Sequence, residues 1–376
     1  MSSAQQASCP EPCLLFAGGG SGGHLYPGLA IAAAVRQRDP KIRCHFLCSD
    51  RPVDLQILAA EQQSFIPLMV PSACDFPRRP WRACPQFLTA FRTSSRLLRQ
   101  YSRSVVFGTG GFVSVPVVLT AAWHHRPIAL FEANAVPGRA TSFLERFAEQ
   151  IFAGSPGVVE HLRSRQRAMV SGVPLRDDLV RLASGSQLRG ADAQPQQLLV
   201  LGGSQGASEI NRGMEYVLRH EPGLLRDWSV LHQTGAYETS ALRQAYADCG
   251  ITAEIVPFID NMGAAMWQSQ LALSRSGAVS LAEFALFGLP SILMPHAVAV
   301  RDHQRANALS AVAVNSAVTV EGVSEVERFR SLADHLRRLA TNQSLRNEMS
   351  IAARSLARPA AAAEIAEVLL DRLHSV

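Results

Sequence analysis

The chain has 376 residues, 47% of them hydrophobic, and its formal net charge of +5 is carried almost wholly by arginine, Lys41 being the only lysine. That length exceeds what one hydrophobic core ordinarily serves, so two domains are expected. The small basic excess, with no basic stripe or recognition motif, argues against a nucleic-acid partner, and no apolar run approaches the ~20 residues that span a bilayer. The opening MSSAQQASCPEP lacks a charged segment followed by an apolar one, which predicts a cytoplasmic chain. The seven cysteines form no even framework, and the pairs Cys9/Cys13 and Cys44/Cys48 have no matching second pair, so reduced thiols and no bound metal are expected.

In chain order, short apolar bursts predict strands at Cys13–Ala17, Cys44–Cys48, Phe65–Val70, Val105–Phe107, Ile128–Phe131 and Ile151–Ala153. A second set follows at Leu198–Leu201, Val230–His232, Ile255–Ile259, Leu271–Ser274 and Ser291–Met294. Segments of helical period lie between them, the pattern of parallel sheets flanked by helices, so the fold class is α/β, doubly wound twice over. The polar stretch Ser184–Gln197 reads as a surface linker. The domains are placed at residues 1–176 and 177–356, with an Ala-rich helix over 357–376 expected to pack back on the first.

Three glycine-rich turns follow strands. The first, Gly18–Gly23, has GxGxxG spacing; the second is Gly108–Gly111; the third is Gly202–Ala207. Glycine there lets the backbone approach a phosphate, whose charge the helix N-terminus attracts. One such turn is as readily a plain tight βα connection. Three across two domains favour phosphate binding. The first alone also permits a dinucleotide reading, with Asp50 at the end of the next strand to hold a ribose hydroxyl.

These motifs carry a family resemblance. GGGSGGH (Gly18–His24), GTGGFVSVP (Gly108–Pro116), FEANAVPG (Phe131–Gly138), GGSQGASEIN (Gly202–Asn211), HQTG (His232–Gly235), FID (Phe258–Asp260), SRSGAVSLAEFALFGLPSILMP (Ser274–Pro295) and DHQRANA (Asp302–Ala308) keep the order of the MurG family's motifs. The chain resembles that family over residues 13 to about 310. The resemblance implies two Rossmann-like domains facing a cleft, the GT-B architecture. It also implies inverting transfer of N-acetylglucosamine from its UDP form to the 4-hydroxyl of a muramoyl-pentapeptide on undecaprenyl diphosphate, in peptidoglycan synthesis.

By that resemblance, Ala278, Val279, Ser280, Leu281, Ala282 and Glu283 line the UDP site, Glu283 taking the ribose hydroxyls, where a bare early-helix carboxylate would otherwise read as dipole compensation. Ser204 is placed for a phosphate oxygen, Ile259 for the uracil edge, and Gln304 and Asn307, three apart on a helix face, for sugar hydroxyls. Ser21, Gly22 and Gly23 belong to the first phosphate turn. Arg176 resembles an arginine that holds substrate diphosphate, and Asn134 sits at a strand end on the acceptor side. His24 follows the first turn, where an imidazole takes a proton from the attacking hydroxyl or else orients the loop; Glu132 is the alternative base. No D-x-D sequence occurs, so no metal and no cofactor beyond the co-substrate UDP-N-acetylglucosamine is expected.

From Pro77 to Arg103 the chain carries seven arginines and no acid, interleaved with Trp81, Phe87, Leu88, Phe91, Leu97 and Leu98. Such a stretch suits an anionic bilayer surface, or is an amphipathic helix on the sheet with its arginines in water. The first reading makes the protein peripheral on the cytoplasmic face of the inner membrane, beside a lipid-linked substrate. Nothing in the sequence speaks to oligomeric state.

Several positions depart from the family pattern. Phe112, Phe131, Ala133 and Val173 replace hydrogen-bonding residues on the acceptor side, and Arg301 reverses a charge before His303–Gln304. These departures leave three rivals: a related transferase with another lipid acceptor, an NAD-dependent oxidoreductase on Gly18–Gly23 and Asp50, and a non-catalytic sugar-nucleotide binder.

Overall fold

The computed structural model describes residues 11–71, 80–185, 196–202, 208–296 and 303–375. The chain forms two compact units. One runs to Ala133, resumes over Pro137–Arg176 and takes in the chain from Ala360; the other comprises Asn134–Val136 and Asp177–Pro359.

The first unit holds strands β1 (Cys13–Gly18), β2 (Arg43–Ser49), β3 (Ser64–Leu68), β4 (Ser104–Gly110), β5 (Ile128–Glu132), β6 (Gln150–Ala153) and β7 (Ala168–Val170), all parallel, in the order β3-β2-β1-β4-β5-β6-β7. Side chains alternate across the sheet. Leu15, Ala17, Leu47, Val106, Leu130 and Ile151 pack on one face. On the other, Phe16 stacks on Phe46 with centroids 4.9 Å apart and meets Phe107 edge-on at 5.7 Å. The helix Gly22–Arg38 covers those rings, Gly28 lying against Phe16 and Phe46. The C-terminal helix Ala361–His374 lies against it and against β4, burying Ile365, Leu369 and Leu373 and adding the Arg38–Glu367 and Arg372–Glu149 ion pairs at 3.2 and 2.8 Å.

The second unit repeats the winding with β8 (Gln196–Leu201), β9 (Trp228–Gln233), β10 (Ala253–Val256), β11 (Leu271–Ser274), β12 (Ser291–Leu293) and β13 (Ala317–Thr319) in the order β10-β9-β8-β11-β12-β13, again all parallel. Leu198, Val200, Val230 and Leu273 face one layer of helices; Leu199, Leu201, Leu231 and Ala272 face the other. In each sheet the strand order reverses beside the first strand, between β1 and β4 and between β8 and β11. Connections leave to opposite faces there and open a crevice at the strands' C-terminal ends.

Two three-residue edge strands, β7 and β13, escaped the sequence reading because so short a run shows no period. The expected strand Ile255–Ile259 ends at Val256: Pro257 has no N–H for the ladder, and Phe258 is exposed. Among the described residues no helix is long and apolar enough to cross a membrane.

Leu369 is fully buried within the first unit, so Leu369→Ala is expected to destabilise that unit by about 2–5 kcal/mol. Urea unfolding, with hydrogen exchange in the helix Gly22–Arg38 as the local readout, measures it.

Candidate active site

In the first unit the turns after β1 and β4 interlock. A Cβ on Gly111 would stand 2.5 Å from the carbonyl oxygen of Gly19, and Gly111 itself has φ +75, so only glycine fits on both counts. The helix that follows the first turn begins at Gly22 with Ser21 as its N-cap; the Ser21 hydroxyl makes no capping bond. Ser21 and Gly23 are exposed and Gly22 half-buried. The uncapped N–H groups at this helix start therefore face outward, the arrangement that takes an anion.

His24 stands in the first turn of that helix. Its ring lies over Gly110, where a Cβ would come within 2.9 Å of it, and its Nδ1 is 2.9 Å from the Thr109 carbonyl oxygen. A carbonyl only accepts, so Nδ1 carries the hydrogen and, in the neutral ring, the lone pair is on Nε2. Among the described residues Nε2 has no hydrogen-bond partner. The loop-orienting and proton-accepting readings of His24 thus use different nitrogens and coexist.

Glu132 does not fit the role of alternative base. It is buried at the end of β5, and its Oε2 accepts from the Gly138 N–H at 2.9 Å and the Thr141 hydroxyl at 2.6 Å, fixing the start of the short helix Arg139–Leu144. The guanidinium of Arg176 lies over the Tyr26 ring, 5.6 Å from its centroid, on the helix that His24 opens. Phe131 and Val173 are core side chains, so these two departures alter packing rather than present a changed group to a ligand. The dinucleotide reading rests on Asp50. Asp50 is exposed, and the acid that meets the glycine turn is Asp54, which binds the Gly20 N–H at 2.7 Å.

In the second unit β11 runs through Arg275 and Ser276 into the helix Ala278–Phe287, with Gly277 as N-cap. All of Gly277–Glu283 is half-buried, whereas Phe284, Ala285 and Phe287 are buried. A helix lying flat on a sheet alternates by face; an unbroken run at its start means the helix end itself is presented. Glu283 stands in the second turn, where dipole compensation has largely decayed, so that bland account of its charge weakens. Ile259 buries its side chain against Leu199, Leu201 and Phe284, and among the described residues its main-chain N–H and C=O make no hydrogen bond.

Asn307 departs from the sugar-ligand expectation. It is only 4% exposed; its Oδ1 accepts from the Ala135 N–H at 2.8 Å, and its Nδ2 donates to Asn134 Oδ1 at 3.2 Å and the Ser276 carbonyl at 3.0 Å. Both amide hydrogens are spent, and the side chain is a joint that ties Asn134–Ala135 to the β11 turn. Gln304 Oε1 accepts from the His296 N–H at 2.9 Å, which leaves its Nε2 for a ligand. Ser204 and Arg301 lie outside the described residues, as does the start of the basic stretch at 77–79.

Two networks, one half-buried and one buried, escaped the sequence reading because their partners meet only in the fold. Glu209 bridges Arg275 at 2.8 Å and Arg328 at 2.7 Å; burial opposes its charge, but the two guanidiniums outweigh that and hold its carboxyl below the usual range. His232, fully buried, is 3.0 Å from both the Tyr246 hydroxyl and Asn211 Oδ1, and Asn211 Nδ2 donates to the Thr234 carbonyl at 3.1 Å. Only Oδ1 of Asn211 can therefore face the ring, which fixes the hydrogen on Nε2.

Residues 14–153 match the glycosyltransferase family 28 N-terminal domain and residues 197–367 the glycosyltransferase family 28 C-terminal domain. The chain is 32% identical over 366 residues to the UDP-N-acetylglucosamine--N-acetylmuramyl-(pentapeptide) pyrophosphoryl-undecaprenol N-acetylglucosamine transferase of Nitrosospira multiformis, covering 95% of this chain and 98% of that one. To the protein of the same name from Alkalilimnicola ehrlichii it is 34% identical over 362 residues, covering 96% and 98%. The chain belongs to this transferase family. Its fold is similar to that of Acinetobacter baumannii MurG, with TM-score 0.74, 24% identity and coverage of 96% and 99%. It is thus an enzyme of the UDP-sugar glycosyltransferases, built from two Rossmann-like units of the GT-B class.

Burial pushes the His232 imidazole down to about 3. The folded state therefore binds this proton far later than the unfolded chain, and the stability conferred by neutral His232 is present above about pH 6.5 and is lost at up to about 1.4 kcal/mol per pH unit as pH falls towards 3. His232→Leu is expected to flatten this component of the acid limb, as measured by urea unfolding of wild type and variant between pH 7 and pH 4.

Proposed function

We propose that the protein transfers N-acetylglucosamine from UDP-N-acetylglucosamine to the 4-hydroxyl of an undecaprenyl-diphosphate-linked muramoyl-pentapeptide, with inversion at the anomeric carbon. The acceptor oxygen forms a bond to C1 as the bond from C1 to the diphosphate oxygen breaks; the hydroxyl proton passes to His24 Nε2, and UDP leaves. The observation that carries this reading is His24: its Nδ1 is tied to Thr109, its Nε2 meets no hydrogen-bond partner among the described residues, and it stands at an uncapped helix start. Membership of the transferase family supplies the substrate class.

Donor binding falls to the second unit, with the presented start of the helix Ala278–Phe287 receiving the diphosphate, Glu283 the ribose hydroxyls, and the Ile259 main chain the uracil edge. Ser21–Gly23 and Arg176 are assigned to the acceptor diphosphate. Charge on the departing UDP is met by oriented N–H groups, and the proposed reaction needs no metal ion. His24→Gln is expected to lower kcat by about 10²–10⁴-fold with little change in KM for the donor. Glu283→Ala should raise that KM by about 10–100-fold, the worth of a hydrogen bond to a charged group. Transfer of labelled N-acetylglucosamine to the lipid-linked acceptor reads both; wild-type protein that binds UDP yet transfers nothing would refute the reaction.

The enzyme's approach to a lipid-linked acceptor at the cytoplasmic face of the membrane is assigned to the exposed face of the helix Pro80–Gln100. Trp81 is 70% and Leu88 46% exposed, with Arg92 and Arg96 on the surface after them, while Leu97 and Leu98 turn inward onto the sheet. Exposure follows one face along the whole helix, since Ala83 and Ala90 are buried as Leu97 and Leu98 are. Trp81→Glu is expected to weaken binding to vesicles of anionic phospholipid by about tenfold. Sedimentation with vesicles measures this, and the melting temperature should not move.

A further inference from the structure

Asp54 lies in the helix Pro52–Ala60 with no exposed surface, and its carboxyl reaches beneath the first glycine turn. Oδ2 accepts from the Gly20 N–H at 2.7 Å, the Ser49 N–H at 3.3 Å and the Ser49 hydroxyl at 2.5 Å. Among the described residues Oδ1 is buried with no hydrogen-bond partner. A carboxyl oxygen in that condition costs stability, and an apolar side chain would remove the cost. Some gain elsewhere must offset it.

That gain lies in the turn. Gly20 stands at φ +91 and Ser21 is extended, so the peptide between Gly19 and Gly20 sets the direction in which the helix start and His24 are presented. Both polar groups of Gly20 are held from the same segment beyond β2: Asp54 takes its N–H, and Arg51 Nη1 donates to its carbonyl at 3.3 Å. Arg51 is exposed and its bond is long. Asp54 is the rigid member of the pair. The contact is also tight enough that a Cβ on Gly19 would collide with Oδ2.

We propose that Asp54 is a positioning residue for the acceptor site: Oδ2 locks the Gly20 peptide so that the N–H groups of Ser21–Gly23 and the ring of His24 face the acceptor. What the turn requires is an acceptor atom at the place of Oδ2, not a charge. The proposal deepens, and rests on, the assignment of the first unit to the acceptor. It predicts that acceptor steps depend on Asp54 while donor binding does not.

The test compares Asp54→Asn and Asp54→Leu in the full chain. Asn keeps an oxygen for the Gly20 N–H and is expected to stay within about threefold of wild type; Leu keeps the volume, lacks the acceptor and should lose about 30-fold or more in kcat/KM for the lipid-linked acceptor, with KM for UDP-N-acetylglucosamine unchanged. Amide exchange of a peptide spanning residues 18–25 is expected to quicken in the Leu variant and to stay near wild type in the Asn variant. A residue that merely stabilised the fold would not split acceptor from donor in this way. Wild-type exchange and kinetics in the Leu variant, or equal damage in the folded Asn variant, would overturn the proposal. Should the Leu protein not fold, Asp54→Ala serves with the same expectations. Wild-type protein inert towards the acceptor would count against the reaction, and the exchange comparison would still decide the role of Asp54.

Discussion

Backbone meets backbone where the turns after β1 and β4 cross, with Gly111 against the Gly19 carbonyl and no room for a side chain between them. The rest of the first unit's site depends on that approach. It lets Thr109 present its carbonyl to His24 Nδ1, and it holds the start of the helix Gly22–Arg38 open at the sheet's C-terminal edge. The glycines that a sequence motif records as phosphate-binding are needed first for packing. Anion binding is what the packed turn then makes available.

The second unit reaches an equivalent edge by a different route. Its presented feature is the start of the helix Ala278–Phe287, set by the fully buried Ser276, whose hydroxyl donates to the Gln304 carbonyl at 2.6 Å, and by Asn307, which donates to the Ser276 carbonyl. Behind it Arg275 and Arg328 close on Glu209, and each also donates to a main-chain carbonyl, of Met294 and Pro295 respectively. A shared carboxylate with charge-assisted bonds on both oxygens has little freedom to move. The end of β12 is thereby fixed relative to β11 and the helix Ser208–His220.

Several polar residues that invite a chemical role prove to be spent on architecture. Glu132 fixes a helix start, Asn307 joins main-chain segments, and His232 is sealed between Asn211 and Tyr246. Each is buried, and a buried polar group is retained when every hydrogen bond it needs is met. His24 and the segment Gly277–Glu283 differ in being only half-buried, with polar atoms or helix-end groups still facing outward.

The sequence by itself determined the α/β class, most of the strands, the first two glycine turns and the family, because each of these is written in local spacing: apolar bursts for buried parallel strands, glycine directly after them, motifs in fixed order. It missed β7 and β13, which are too short to carry a period, and overran β10 because Pro257 ends the ladder without ending the apolar run. Only the tertiary structure decided which of the candidate residues remain available for chemistry. Asp50 and Asp54 lie four positions apart and look alike as letters, yet one is exposed and the other is locked under Gly20. Hydrogen-bond partners such as Asn307 with Ala135, or His24 with Thr109, are separated by 172 and 85 residues. Whether a side chain's polar atoms are spent or free depends on partners that the fold brings together, and no local pattern records them.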